Sequence, residues 1–106
     1  MDFLAYILDQ FKQLEDLHEL SHRAMFGGYG LYLEGCFFGI VHRESLYFKT
    51  HPHTVNQYLA LGSSVFSPSA KQSLKHYYLV PGEVLDDRET LCQWAIRAAN
   101  LLDDEQ

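Results

Sequence analysis

RAMFGGYGLYLEGCFFGIVHRESLYFKT, residues 23–50, decides the fold. The run is rich in aromatic and branched residues, which suit a pleated sheet, and glycine punctuates it. It predicts strands near 23–26, 29–34, 37–42 and 45–50. Glu34-Gly35 and Arg43-Glu44 have the length and character of hairpin turns. Gly27-Gly28 would break or bulge the first ribbon. Strands joined this tightly form an antiparallel meander. Alternation would put Tyr29, Leu31 and Leu33 on one face, and Gly30, Tyr32 and Glu34 on the other.

The flanks read differently. Before the meander, Phe3, Leu4, Ile7, Leu8, Phe11, Leu14 and Leu17 recur at spacings of three and four. That is one stripe of an amphipathic helix over 3–17, with Asp2 as N-cap. After it, Pro52 and Gly62 bracket a short helix near 52–61 with Val55, Tyr58 and Leu59 inside. Two weaker strands follow, Ser64–Phe66 and Leu74–Val80, separated by a polar loop, SPSAKQ. Asp86 with Glu89 resembles a capping box for a last helix over 87–102. Its buried stripe would be Leu91, Trp94, Ala95, Ala98, Leu101 and Leu102. The order α-β-β-β-β-α-β-β-α makes an α+β domain, three helices against an antiparallel sheet.

A chain of 106 residues suits one domain, 1–106. Hydrophobic residues at 47 % and seven each of Tyr and Phe supply a core without metal or disulfide staples. Asp2 and Asp9 interrupt the N-terminal apolar run and no basic segment precedes it, so neither a signal peptide nor a membrane span is expected. A cytoplasmic protein is the expectation, with Cys36 and Cys92 reduced and packed inside.

Charge is unevenly spread. Residues 1–20 carry five acids and one base, 21–82 two acids and five bases, and 83–106 seven acids and two bases. A net charge of −6 weighs against independent, non-specific nucleic-acid binding, which needs a large positive field. The middle block could still carry a small basic patch. Arg23, Arg43, Lys49, Lys71 and Lys75 interleave with Tyr29, Tyr32, Tyr47, Tyr77 and Tyr78, the ingredients of a stacking surface for single strands. A protein-facing patch is the stronger reading of so few cations, and no sequence-specific DNA binding is expected.

Catalytic constellations are not expected either. GGYG at 27–30 runs into a strand and lacks GK[ST], so it is no phosphate loop. His51-Pro52-His53, with His42 or His76, has no HExxH or CxxC companion, so no metal site and no cofactor is expected. His18 and His22 flank the end of the first helix, where a cation is mildly favourable. Cys36 lies in a strand-like run and Cys92 in a helix, neither placed as a nucleophile. Asp86-Asp87 and Asp103-Asp104 look like a helix start and an exposed tail rather than an acid–base pair.

Arg23-Ala24-Met25-Phe26-Gly27-Gly28-Tyr29-Gly30-Leu31-Tyr32 resembles the RxMFGGxGxY signature of the TfoX/Sxy family's N-terminal domain. The resemblance continues through Phe38-Gly39-Ile40-Val41, Leu46-Tyr47-Phe48-Lys49, Leu61-Gly62, Phe66 and Tyr77-Tyr78-Leu79-Val80-Pro81. It ends at Leu91 and Trp94-Ala95, covering about residues 10–102. It implies a fold like that of secretion chaperones and a bacterial, non-enzymatic regulator of competence. Such regulators are co-activators alongside the cAMP receptor protein, which makes that protein or the transcription machinery the implied partner. Full-length regulators of the family add a helical C-terminal domain, which has no counterpart in these 106 residues.

The functional strip expected from this reading is Arg23, Met25, Phe26, Gly27, Gly28, Tyr29, Gly30 and Lys49. Arg23 and Lys49 would supply charge, and Phe26 and Tyr29 an aromatic anchor for a protein partner. Read as scaffold, the same string would fix the bend of the sheet. A groove or sheet edge taking a small ligand or an extended peptide is the alternative. Free sheet edges also leave room for a homodimer.

Overall fold

The computed structural model describes residues 2–25, 27–69 and 72–100, with the side chains of 68, 69, 72 and 73 left aside. Phe26, Lys71, Leu101, Leu102 and the DDEQ tail, all invoked above, lie outside the described residues. The elements are α1 (Phe3–Gln10), α2 (Lys12–Glu15), β1 (Leu20–Met25), β2 (Gly28–Leu33), β3 (Cys36–His42), β4 (Ser45–Lys49), α3 (Val55–Ala60), β5 (Val65–Ser69), β6 (Gln72–Leu79), α4 (Gly82–Leu85) and α5 (Arg88–Ala98). The fold is α+β, as expected, but among the described residues five helices replace the expected three. One antiparallel sheet runs in the order β1-β2-β3-β4-β6-β5.

The meander follows the turns. Leu33 pairs with Cys36 across Glu34 (φ 52°) and Gly35 (φ 79°), and His42 pairs with Ser45 across Arg43 (φ 57°) and Glu44. Left-handed backbone at such positions matches the twist of the strands. Met25 pairs with Gly28, so Gly28 opens β2 and Gly27 lies in the turn before it instead of bulging a ribbon, and β1 starts at Leu20, three residues earlier than expected. The bulge lies opposite, in β3. Leu31 pairs with Gly39 and Tyr32 with Phe37, leaving Phe38 as the extra residue. Phe38 thereby joins Val41 on the helical side.

That side holds the main core. Ile7, Phe11, Leu31, Leu33, Phe38, Leu46, Phe48, Leu91 and Ala95 are buried there, with Tyr58 from α3 and Val84 from α4. Phe11 packs on Phe38 and Phe48 at ring-centroid distances of 6.0 and 6.3 Å. Around this apolar centre, buried Gln10 ties α1 to its neighbours. Its Nε2 donates to the Leu85 carbonyl at 3.0 Å and its Oε1 accepts from Arg88 Nε at 3.3 Å. Arg88 also bridges to Asp9 at 3.1 Å, and the Tyr6 hydroxyl donates to Asp86 at 2.9 Å, which raises the phenol's pKa.

The caps confirm some local signals and move others. Asp2 accepts from the Ala5 amide at 2.8 Å, as an N-cap should. At α5 the cap is Asp87, accepting from Thr90, because Asp86 serves Tyr6. The third helix begins at Val55, leaving Pro52 in a preceding turn. It stops where expected. Gly62 (φ 76°) donates to Leu59 and Ser63 to Tyr58, a Schellman ending. Leu17 is 79 % exposed and Leu59 52 %, so both leave the stripes assigned to them. For Leu17 the reason is local: the helical run ends at Glu15.

β5 and β6 form a hairpin that curls over the opposite face. Phe66 of β5 meets Tyr47 at 4.7 Å and His42 at 5.3 Å. In a flat sheet β5 would stand roughly 14 Å from β3, three strand spacings away. The curl buries Ile40, Phe66 and Tyr77 as a second cluster, with Phe37, Tyr47 and Leu74 against it, all strand residues. β5 runs through Ser67-Pro68-Ser69, read above as loop. Proline is tolerated because β5 is an edge strand. β1, the other edge, has six residues, no proline and an unbroken register with β2. Among the described residues no helix is long and apolar enough to cross a membrane.

Candidate functional site

The expected strip separates into three places. Gly27, Gly28 and Tyr29 line a cleft of about 460 Å³ with Asp2, Arg43 and Glu44. Arg23, Met25 and Gly30 lie on the face opposite the main core, reached by alternation along β1 and β2. Lys49 lies on that same face, three strands from the β1 edge. Phe26 is outside the described residues.

The glycines have distinct reasons. Gly27 holds a positive φ of 76°. At Gly28 a Cβ would overlap the Val41 carbonyl oxygen, a backbone atom with nowhere to go. At Gly30 a Cβ would meet Met25 Sδ at 2.6 Å and Phe37 Cε1 at 3.1 Å. Met25 is the flexible end of a side chain and can yield. Gly27 and Gly28 therefore act as scaffold, whereas Gly30 makes room for Met25 on the open face. Tyr29, 37 % exposed, packs edge-on against His22 at 5.6 Å. His22 thus belongs to a strand and not to a helix end. His18 does sit after the first helices, with Nδ1 3.2 Å from Glu34 Oε2.

The register sets Arg23 in the row of Gly30, Ile40 and Tyr47 and Lys49 beside Tyr77, two residues along, and the Arg23 side chain spans that offset to join one stripe. The Arg23 guanidinium lies 5.3 Å from the centroid of the Tyr32 ring. Tyr32 stacks on Phe37 at 5.3 Å and 28°, and Phe37 meets Tyr77 at 5.1 Å and 31°. Tyr77 pairs across the ladder with Lys49. Rings lying side by side in one plane would be held further apart by their hydrogens. At these distances and angles they stand on edge, face against face. Burial, with the neighbouring Tyr32 phenol second, pushes the Tyr77 phenol up to about 12.

Phe37 completes this stripe and escapes a sequence reading, because alternation counted back from Val41 without the bulge would turn it toward the core.

A cleft of about 430 Å³ adjoins the stripe. It is lined by Cys36, Phe37, Lys49, His51, Tyr77 and the end of α5. His51 Nε2 is 3.1 Å from the Ala98 carbonyl. Cys36 is exposed, contrary to the packing role expected for it. Its position as first residue of β3, beside the Glu34-Gly35 turn, explains this. Cys92 is buried, donates to the Gln10 carbonyl at 3.4 Å, and burial pushes its thiol pKa up.

The family model for the TfoX N-terminal domain matches residues 12–101, most of the chain. This chain belongs to that family. No curated protein matches it in sequence. The match covers α2 to α5, so every residue of the stripe falls inside the TfoX N-terminal domain.

Proposed function

We propose that this TfoX N-terminal domain is a non-enzymatic regulatory or adaptor module that works by binding another protein. One observation carries the reading: on the sheet face away from the helices, exposed Arg23 and half-buried Tyr32, Phe37 and Lys49 lie together. Aromatic and arginine side chains held rigidly at a surface are the residues that dominate protein interfaces. The resemblance to competence regulators points to the transcription machinery in a bacterial cytoplasm, with the cAMP receptor protein as first candidate.

Affinity capture from a host extract tests this, with Arg23→Ala as the matched control and mass spectrometry as readout. Specific recovery of a transcription protein, diminished by Arg23→Ala, supports the reading. Recovery of no specific partner overturns it.

The 430 Å³ cleft favours a second reading, a small-ligand or peptide site, because its volume falls in the range of ligand pockets. A metabolite screen by thermal shift checks it. A ligand that raises Tm in the parent but not in Lys49→Ala is the expected positive result.

A further inference from the structure

We propose that the partner presents an acidic, extended segment to the stripe formed by Arg23, Tyr32, Phe37, Lys49 and Tyr77. This inference rests on the protein-binding reading above and names the chemistry of what binds.

The first observation is where the acids lie. None of the six strands contains Asp or Glu, while they carry Arg23, Lys49 and Lys75. The chain's 14 acids belong to helices, turns and termini. Among the described residues, an acidic protein with net charge −6 thus builds its sheet without a carboxylate. Among the described residues, neither Arg23 nor Lys49 has a carboxylate partner, and the Arg23 guanidinium rests on a ring instead.

The second observation is the attitude of the rings. Both faces of Phe37 are occupied, by Tyr32 and Tyr77, and the free face of Tyr32 is covered by Arg23. Nucleobases stack on open ring faces, and this array offers none. Standing rings expose their edges, the positive part of the aromatic quadrupole. Ring edges flanked by a guanidinium and an ammonium suit carboxylates. A second copy docking through the same face would set Arg23 and Lys49 against like charges. An acidic segment of another protein fits all of these constraints.

The test is a ¹⁵N–¹H NMR titration of the whole chain with three probes. These are a decapeptide of alternating glutamate and serine, its glutamine counterpart, and oligothymidylate of matching length. The acidic peptide should shift the amides of Arg23, Tyr32, Phe37, Lys49 and Tyr77, and its binding should weaken on adding salt. An Arg23→Ala/Lys49→Ala double variant with unchanged Tm should bind it about tenfold more weakly, as expected when close charge pairs are removed from an interface. Equal binding of the glutamine peptide, tighter binding of oligothymidylate, shifts confined elsewhere, or no shifts would overturn the inference. Host capture repeated with the double variant separates the two proposals. A partner retained equally by parent and variant leaves the protein-binding reading standing and removes the acidic-segment inference. If the stripe binds the acidic peptide but no host protein is captured, the inference stands as a chemical preference and the host-partner reading falls.

Discussion

One sheet presents two aromatic faces with opposite fates. On the helical face Phe38 and Phe48 are fully buried, their rings 5.7 Å apart beneath Phe11. On the other, Tyr32 and Phe37 pack at 5.3 Å and stay half-buried. Phe37 and Phe38 are adjacent in the chain and chemically identical; alternation sends one to each face, and a single bulge decides that Phe38, not Phe37, shares the core side with Val41. Composition therefore does not separate core from surface in this protein; register does. Removing Phe38 or Phe48 takes packing from several elements at once, whereas removing Phe37 takes a stacking partner from two rings.

The comparison breaks first at its most buried point. Phe48→Ala should cost about 3–5 kcal/mol in urea unfolding, whereas Phe37→Ala should cost about 1–2 kcal/mol because its side chain is already partly exposed. Equal losses would mean that the open face is a second load on stability and not a surface. Gly28→Ala should follow, destabilising by about 3 kcal/mol, because its methyl meets the fixed Val41 carbonyl. Gly30→Ala should cost less, since Met25 can swing away; thermal unfolding of the two variants side by side reads the difference.

A third contrast is in alkaline unfolding. Burial pushes the Tyr58 phenol above its ordinary range on the helical side and Tyr77 up to about 12 on the other. The folded state holds the Tyr77 proton more tightly than the unfolded chain, whose phenol titrates at 10.0. Its contribution is fully present below pH 10, and it is lost as pH climbs from there through 12. Tyr77→Phe should remove that loss, about 2 kcal/mol by pH 12, and move the alkaline unfolding midpoint upward. A midpoint unchanged in Tyr77→Phe and raised in Tyr58→Phe would assign the alkaline sensitivity to the helical side alone. The smallest effect is expected at Arg23→Ala, within about 0.5 kcal/mol of the parent, because the side chain is exposed and rests on one ring.

Much of the architecture was legible because turn chemistry is local. Glu34-Gly35, Arg43-Glu44 and Gly62 each announce a chain reversal or a helix stop through a few residues, and each does so in the structure. What escaped depends on distant contacts or on brevity. Apolar spacing continues through Phe11, so the break between α1 and α2 leaves no trace in periodicity. Gly82-Glu83-Val84-Leu85 is too short for a helical period to emerge. Pro68 and its polar neighbours look like loop until β6 is known to shelter β5 at an edge. At the site, Arg23 and Lys49 were named from the string that contains them. Their shared stripe needed the register of five strands, β1 to β4 and β6, and the curl that carries Tyr77 over to Phe37.

The two borders of the sheet are unequal, and this limits how copies can polymerise. β5 contains Pro68, which offers no amide hydrogen, and its ladder with β6 slips twice. β1 offers an unbroken row of backbone groups. Strand-to-strand growth can therefore start at β1 and has no matching site on the far side from which to continue. Two molecules joined through β1 would exhaust the reactive border, so such an assembly terminates as a pair instead of extending into a fibril.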